Sequence, residues 1–314
     1  MTRMEPCDRV GALARRLRQP GIARIIEVHS PISAMIAQQA RATVEGHERG
    51  FDGFWSSSLV DATLVGKPDT AVVGIDHRLS RLQDVLAVTE LPVVFDADNG
   101  GTTEEFAMHV KRMEAIGVSA VIVEDKTGPK RNSLVGAEQH QEDPARFAAK
   151  LTAARSVLRD PDFTLVARIE SLILGQSQQH ALTRAGVYAD AGADAIMIHS
   201  RQNTAQEVVA FARAFRPLYP EVPLVVVPTT FPAATEDELA QAGFDMVIYA
   251  NHLLRAAYPA MQRTAARILR TGGGLPSDSE LLSDPELLND PELLSDPELL
   301  SVDDLLGLIP GNLP

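Results

Sequence analysis

The sequence predicts an α/β fold, a closed eight-stranded (β/α) barrel of the TIM type. Three observations carry that expectation. Eight short runs rich in β-branched residues recur along the chain, each ending in a polar residue. Segments with helical spacing separate them. Four of the runs are announced by related glycine words, RGFDGFW, IGVSAVIV, AGADAIMI and AGFDMVIY. Strand–helix alternation repeated this often favours closure. An open doubly wound sheet usually shows a glycine-rich phosphate loop after its first strand, and no such loop follows the first run.

In chain order the expected strands are Ile22–Ser30, Gly53–Ser57, Pro92–Asp98, Ala120–Lys126, Phe163–Glu170, Ala195–Ser200, Pro223–Thr229 and Met246–Asn251. Their nearly unbroken apolar character is that of strands covered on both faces, as in a parallel sheet. Between them, Glu104–Ala115, Pro144–Leu158, Ser177–Ala191 and Thr204–Phe215 have the spacing of amphipathic helices. The glycine in each announcing word is expected to end a helix in the left-handed conformation.

The last forty residues are different in kind. SDSELL, SDPELL, NDPELL, SDPELL and SVDDLL follow one another from Ser277 to Leu306. Ser or Asp caps a helical turn, and Pro and the acids suit its N-terminal end. A proline every six residues prevents one continuous helix. Two expectations stand: a solvated acidic tail, or a docking strip for a partner or neighbouring subunit with paired leucines as anchors. The domains are therefore expected to be a barrel over 1–274 and a repeat tail over 275–314.

Charge is concentrated in that tail. The chain has 42 acidic and 29 basic residues, and ten of the acids lie beyond Gly274, where no Lys or Arg occurs. Without those ten, 32 acids face 29 bases, so the barrel is nearly neutral and a basic groove for nucleic acid is not expected. The single cysteine, Cys7, excludes an intrachain disulfide and a multi-cysteine metal site. No apolar run reaches the roughly 18–20 residues that span a membrane. With no apolar signal core at the N-terminus, the expectation is a cytoplasmic protein.

In a barrel the chemistry sits at the C-terminal ends of the strands. Those ends are expected to carry His29, Ser30, Trp55, Ser56, Ser57, Asp96, Asp98, Glu124, Lys126, Arg168, Glu170, His199, Asn251 and His252. Asp96 and Asp98 lie two apart in FDAD and are expected to point to one side of a strand. Glu124 ends the next strand. Three converging carboxylates repel unless a cation joins them, and an all-oxygen set suits Mg2+, with Mn2+ possible. Arg168 suits planar recognition of carboxylate or phosphoryl oxygens, with an internal pair to Glu170 as the plainer alternative. His199 ends the strand that follows. His77, His109 and His140 are left as surface or core residues. The polar segment Glu124–Gly136, with one proline and two glycines, suits a lid over a charged ligand.

These words together resemble the phosphoenolpyruvate mutase branch of the isocitrate lyase superfamily. The resemblance rests on EDKxxPKxNS (Glu124–Ser133), the DAD pair, VARIE (Val166–Glu170), GADAIMIHS (Gly192–Ser200), VPT (Val227–Thr229) and ANHLLRA (Ala250–Ala256), and covers roughly residues 22–270. It implies Asp96 as direct metal ligand, with Asp69, Asp98 and Glu124 holding the metal's waters, and Asp69 as an alternative phosphoryl acceptor that a dissociative transfer would not need. It implies a substrate carboxylate held by Trp55 and the backbone of Ser57, Ser58 and Leu59. Arg168 and His199 would bind substrate beside the metal, and Lys130, Asn132 and Ser133 would close over a phosphoryl group. The implied reaction interconverts phosphoenolpyruvate and phosphonopyruvate, a step of phosphonate biosynthesis. Members of the family tend to form tetramers, so a homo-oligomer, tetramer or dimer, is expected.

Four departures from the family pattern stand out. Gly128 replaces the usual Phe in the lid, Asn99–Thr102 replaces the usual TGYG, Ser58 stands where mutases often have Gly, and Ala40–Gly50 is longer than the usual link. The nearest rival reading is phosphonopyruvate hydrolase, whose lid tends to have Thr at the place of Asn132, although EDKT and HSRQ lean toward it. A carbon–carbon lyase needs a lid cysteine, which Cys7 does not supply. A barrel serving only as a scaffold is disfavoured by the intact carboxylates and Arg168.

Overall fold

Strands form where the apolar runs can be buried on both sides. In the computed structural model, which describes residues 5–133 and 138–272, two short helices come first, α1 (Pro6–Val10) and α2 (Ala12–Leu17). Then follow β1 (Ala23–Glu27), α3 (Pro31–Gln39), the hairpin β2 (Ala42–Val44) and β3 (His47–Arg49), β4 (Gly53–Ser56), α4 (Ser58–Leu64), α5 (Ile75–Val88) and β5 (Val93–Asp96). The middle of the chain gives α6 (Thr103–Ile116), β6 (Ala120–Glu124), β7 (Lys126–Thr127), β8 (His140–Gln141), α7 (Pro144–Val157) and β9 (Thr164–Ile169). The rest is α8 (Gln178–Asp190), β10 (Ala195–Ile198), α9 (Gln206–Phe215), β11 (Leu224–Val226), α10 (Glu236–Ala242), β12 (Met246–Tyr249) and α11 (His252–Thr271).

Eight of these strands close in the order β1-β12-β11-β10-β9-β6-β5-β4, and every pair around the ring is parallel. All eight expected runs supply a barrel strand. Alternate residues explain their continuous apolarity. Ile25, Val94, Ile122, Val166, Met197, Val225 and Ile248 fill the interior. Their neighbours Phe54, Phe95, Val121, Leu165, Ile196 and Val247 are fully buried as well. Full burial of each such side chain contributes roughly 1.5–3 kcal/mol. Leu13 of α2 belongs to the interior cluster. Arg16 pairs with Asp52 and Arg18 with Asp162, just before β4 and β9, so α2 plugs the N-terminal mouth.

The four named helices form within two residues of their expected bounds. Capping explains their starts: Thr102 and Glu105 make a reciprocal box on α6, and Asp143 accepts from Ala145 and Arg146 on α7. Gly117, Gly192 and Gly243 take positive φ at helix ends, as expected. Gly50 does not. It follows the exposed β2–β3 hairpin, which occupies the long Ala40–Gly50 segment, so no helix ends there.

All eight strands stop one to three residues short of their expected ends, and at two of them the difference bears on the site. β5 stops at Asp96, and Asp98 lies beyond it with φ 54°. β6 stops at Glu124, and Lys126 opens a separate small ladder with His140–Gln141. The chain divides into a compact unit ending at His252 and a second beginning at Leu253. The expected 274/275 boundary, the hexapeptide repeat and lid residues Leu134, Val135 and Gly136 lie outside the described residues. No described helix is long and apolar enough to cross a membrane.

Candidate active site

The C-terminal strand ends open into a pocket lined by charged and polar side chains, as suits a small charged ligand. Every residue singled out for the site lines it: Trp55, Ser57, Ser58, Leu59, Asp69, Asp96, Asp98, Glu124, Lys130, Asn132, Ser133, Arg168 and His199. Of the other strand-end residues only Asn251 does so. His29 instead meets Glu27 at 2.6 Å, and Ser56 and Glu170 stand behind the wall.

The acidic side is built from β5 and β6. Asp96 Oδ2 accepts from the Ser58 amide at 3.3 Å and from Ser58 Oγ at 2.8 Å. The Ser58 amide, expected to face the substrate carboxylate, is thus turned to Asp96, as is the Ser58 hydroxyl. Asp98 reaches the pocket not along the strand but by its left-handed turn, which Asp tolerates better than most residues. Its amide donates to Asp96 Oδ1, and its carbonyl accepts from Glu124 N at 2.8 Å. The turn therefore ties the three carboxylates together.

Their electrostatics call for more positive charge. Burial opposes an ionised Asp96, yet Lys130, Arg78 and Arg168 hold it below its ordinary value. Burial and Asp96 push Asp98 up. Burial pushes Glu124 up to about 8, and Glu170 adds to that against the pull of Arg168. Among the described residues no three His, Cys, Asp or Glu side chains form a ready-made cage for an ion. That donor set fits Mg2+, which keeps several waters and needs only one or two direct carboxylates.

Arg168 and His199 form the adjoining wall. Arg168 donates from Nε to Glu170 at 2.6 Å and from Nη2 to Ser133 Oγ at 2.8 Å. The same Nη2 lies 2.9 Å from His199 Nδ1 and 3.4 Å from Glu124. The internal pair to Glu170 is present, and Arg168 also lines the pocket. Burial and Arg168 lower the His199 pKa, so the ring is neutral. With Nδ1 accepting from Arg168, its proton sits on Nε2. Glu170 stays ionised despite burial because Arg168 and, behind it, Lys126 face it.

The lid segment lies across the mouth. Lys130 Nζ contacts Asp69, Asp98 Oδ1 at 2.6 Å and Ser58 Oγ at 2.6 Å. Asn132 donates to Asp69 at 2.8 Å, and Ser133 donates to Glu170. Two departures from the family pattern meet here. Gly128 takes φ 81°, and its carbonyl accepts from Asn99 at 3.3 Å.

Sequence reasoning missed several supporting groups. Arg78 of α5 is almost fully buried and clamps three elements. Its Nε donates to Asp61 at 2.8 Å, Nη1 to the Asp96 carbonyl at 2.5 Å and Nη2 to the Ser56 carbonyl at 3.2 Å, over the Phe95 ring. An arginine in an amphipathic helix reads as surface, so the sequence held no signal for it. Asp125 is a buried hub, accepting from Glu170 N, Tyr188 Oη, Gln141 and Arg184. Trp55 Nε1, Thr229 Oγ1 and Asn251 Oδ1 line the pocket as buried polar atoms without a protein partner, and a bound ligand would satisfy them. Cys7 lies exposed in α1 and does not line the pocket.

The Arg78 clamp makes a testable claim. Arg78→Met strands a buried Asp61 carboxylate and two carbonyls, and is expected to cost about 3–5 kcal/mol. Denaturant titration would show a lower midpoint at unchanged slope. A loss below about 1 kcal/mol would place the clamp among ordinary surface contacts.

Comparison with known proteins bears on what this geometry serves. The family model for phosphoenolpyruvate phosphomutase matches residues 13–269. A phosphonopyruvate hydrolase of Variovorax sp. (strain Pal2) is 36% identical over 280 residues, covering 86% of this chain and 92% of that protein. A phosphoenolpyruvate phosphomutase of Streptomyces hygroscopicus is 37% identical over 271 residues, covering 84% and 81%. The crystal structure of a phosphomutase from Streptomyces platensis subsp. rosaceus superposes with a TM-score of 0.82 at 34% identity, covering 95% and 94% of the two chains. A phosphonopyruvate hydrolase in complex with oxalate and Mg2+ superposes with a TM-score of 0.78 at 32% identity, covering 97% and 95%.

Proposed function

Since this chain belongs to the phosphoenolpyruvate phosphomutase family, we propose that it is a Mg2+-dependent isomerase interconverting phosphoenolpyruvate and phosphonopyruvate. The observation that carries this reading is the lid. Lys130 and Asn132 reach across the mouth, Lys130 to Asp69 and Asp98 and Asn132 to Asp69. A phosphoryl group between carbon and oxygen needs positioning and protection from water more than covalent help.

In this reading the substrate carboxylate meets Trp55 Nε1 and the start of α4, Ser57–Leu59. Arg168, held by Glu170, points its guanidinium at the enolate oxygen. Neutral His199 donates from Nε2 to the same region. Lys130 and Asn132 face the phosphoryl oxygens and screen them from solvent. Asp69, engaged by both, serves as the lid's anchor. Asp96 would hold the metal directly, with Asp98 and Glu124 through its waters. When bound, Mg2+ supplies positive charge to the enolate and phosphoryl oxygens. In the forward step the C–P bond breaks, its electron pair enters the enolate, and the enolate oxygen forms the new P–O bond. Formation of the C–P bond from phosphoenolpyruvate is uphill, so a later step of phosphonate biosynthesis would consume the product.

A second reading, phosphonopyruvate hydrolase, has support in the near-equal likeness to both activities. Incubation with phosphonopyruvate and Mg2+, followed by phosphorus NMR, separates the two. Phosphoenolpyruvate is the expected product. Inorganic phosphate with pyruvate would support the hydrolase, and no change would sink both. We also propose a cytoplasmic location, which a single cysteine suits, and a homo-oligomer, tetramer or dimer, as the family resemblance implies.

A further inference from the structure

We propose that Lys126 is the latch that keeps the lid on the barrel, and that by doing so it decides whether water shares in the reaction. The proposal rests on the functional reading above for its chemistry, but not for its geometry. Lys126 is a positioning residue. It does not line the pocket, and it stands behind Ser133 and Glu124, which do.

The geometry is unusual for a lysine. The side chain is 6% exposed. Among the described residues its ammonium lies near five oxygens: the Arg131 carbonyl at 3.0 Å, Ser133 Oγ at 2.8 Å, Gln139 Oε1 at 2.9 Å, Glu124 Oε1 at 3.1 Å and Glu170 Oε2 at 3.5 Å. An ammonium has three donors, so these contacts are shared. Two of the five oxygens, on Arg131 and Ser133, belong to lid residues that line the pocket, and a third, on Gln139, belongs to the chain that follows the lid. The other two are carboxylates at the ends of β6 and β9. One buried charge thus joins the lid, and the chain after it, to the barrel rim. A lysine placed only to neutralise Glu124 and Glu170 would need none of the first three contacts.

The chemical consequence follows from what the lid protects. While the phosphoryl group is detached from C3 of phosphonopyruvate, it has two possible acceptors. Capture by the enolate oxygen gives phosphoenolpyruvate. Capture by water forms a P–O bond to the water oxygen, sends a water proton to C3, and gives pyruvate and inorganic phosphate. A lid that opens more often admits the second acceptor more often.

The test uses the full chain, with Lys126→Met and the milder Gln139→Leu, which removes the acceptor for Lys126 together with the Gln139 donor to the Asn132 carbonyl, without changing a charge. In the substrate-free proteins, amide hydrogen exchange is read at Thr127–Ser133 and at β5 and β9. Lys126→Met is expected to speed lid exchange by about tenfold or more while the strands keep their protection. Gln139→Leu is expected to move it the same way by about threefold. With phosphonopyruvate and Mg2+, the fraction of phosphorus ending as inorganic phosphate is expected to rise by about tenfold or more in Lys126→Met.

Native lid exchange in both variants overturns the latch. Faster lid exchange with an unchanged product split overturns its control of water. If Lys126→Met does not fold, Gln139→Leu still decides, because its barrel charges are intact. If the native enzyme itself releases phosphate, the functional reading fails, and the exchange measurement alone tests the latch.

Discussion

Asp96→Ala is expected to reduce kcat/KM by on the order of a thousandfold or more while the barrel stays folded. Asp96 is the carboxylate that its surroundings keep ionised, through Lys130, Arg78 and Arg168. It also receives both Ser58 donors and the Asp98 amide, so its removal loosens the start of α4 and the turn at Asp98. Calorimetric titration with Mg2+ should show the loss directly, apart from turnover. Full activity in this variant would refute the metal assignment. Its stability should fall as well, because a carboxylate held below its ordinary value by Lys130, Arg78 and Arg168 contributes to the fold.

Arg168→Met is the second large effect, and it should appear in two measurements at once. Glu124 and Glu170 both face this guanidinium, and Glu170 is fully buried. Leaving such a carboxylate without its partner is expected to cost about 3–5 kcal/mol of stability. The substrate side loses a donor aimed at developing charge, which is worth about a hundredfold to a thousandfold in kcat. Arg168→Lys keeps the charge but not the fork to Glu170 and Ser133, so it should restore more stability than turnover. A variant with normal kcat would mean that Arg168 only braces the strand ends.

The barrel was legible because burial on both faces leaves a plain mark, an apolar run closed by a polar residue, eight times over. Ala42–Val44 and His47–Arg49 were not legible as strands. They are exposed or nearly so and pair only with each other, so no burial pattern marks them. Asp98 was found for an incomplete reason. Strand alternation pointed it at the pocket, whereas a left-handed turn after β5 puts it there. The carboxylates, Arg168, His199 and the lid could be named because charged residues at strand ends are few and their words are distinctive. Arg78 could not, and Lys126 was named only as a strand-end residue, with no sign of its burial. A lone basic residue is nearly always solvated, and only three-dimensional packing shows that these two are buried among carbonyls and carboxylates. Thr229 was missed for the opposite reason, since a threonine after a strand carries no chemical signal until its hydroxyl is seen without a partner.

The central claim is that the site moves a phosphoryl group between carbon and oxygen while excluding water. Turnover of phosphonopyruvate with Mg2+ in 18O-enriched water tests it most directly, with phosphorus NMR reading the isotope shift. The account predicts phosphoenolpyruvate whose phosphoryl oxygens carry no label. Labelled inorganic phosphate as the main product would contradict it.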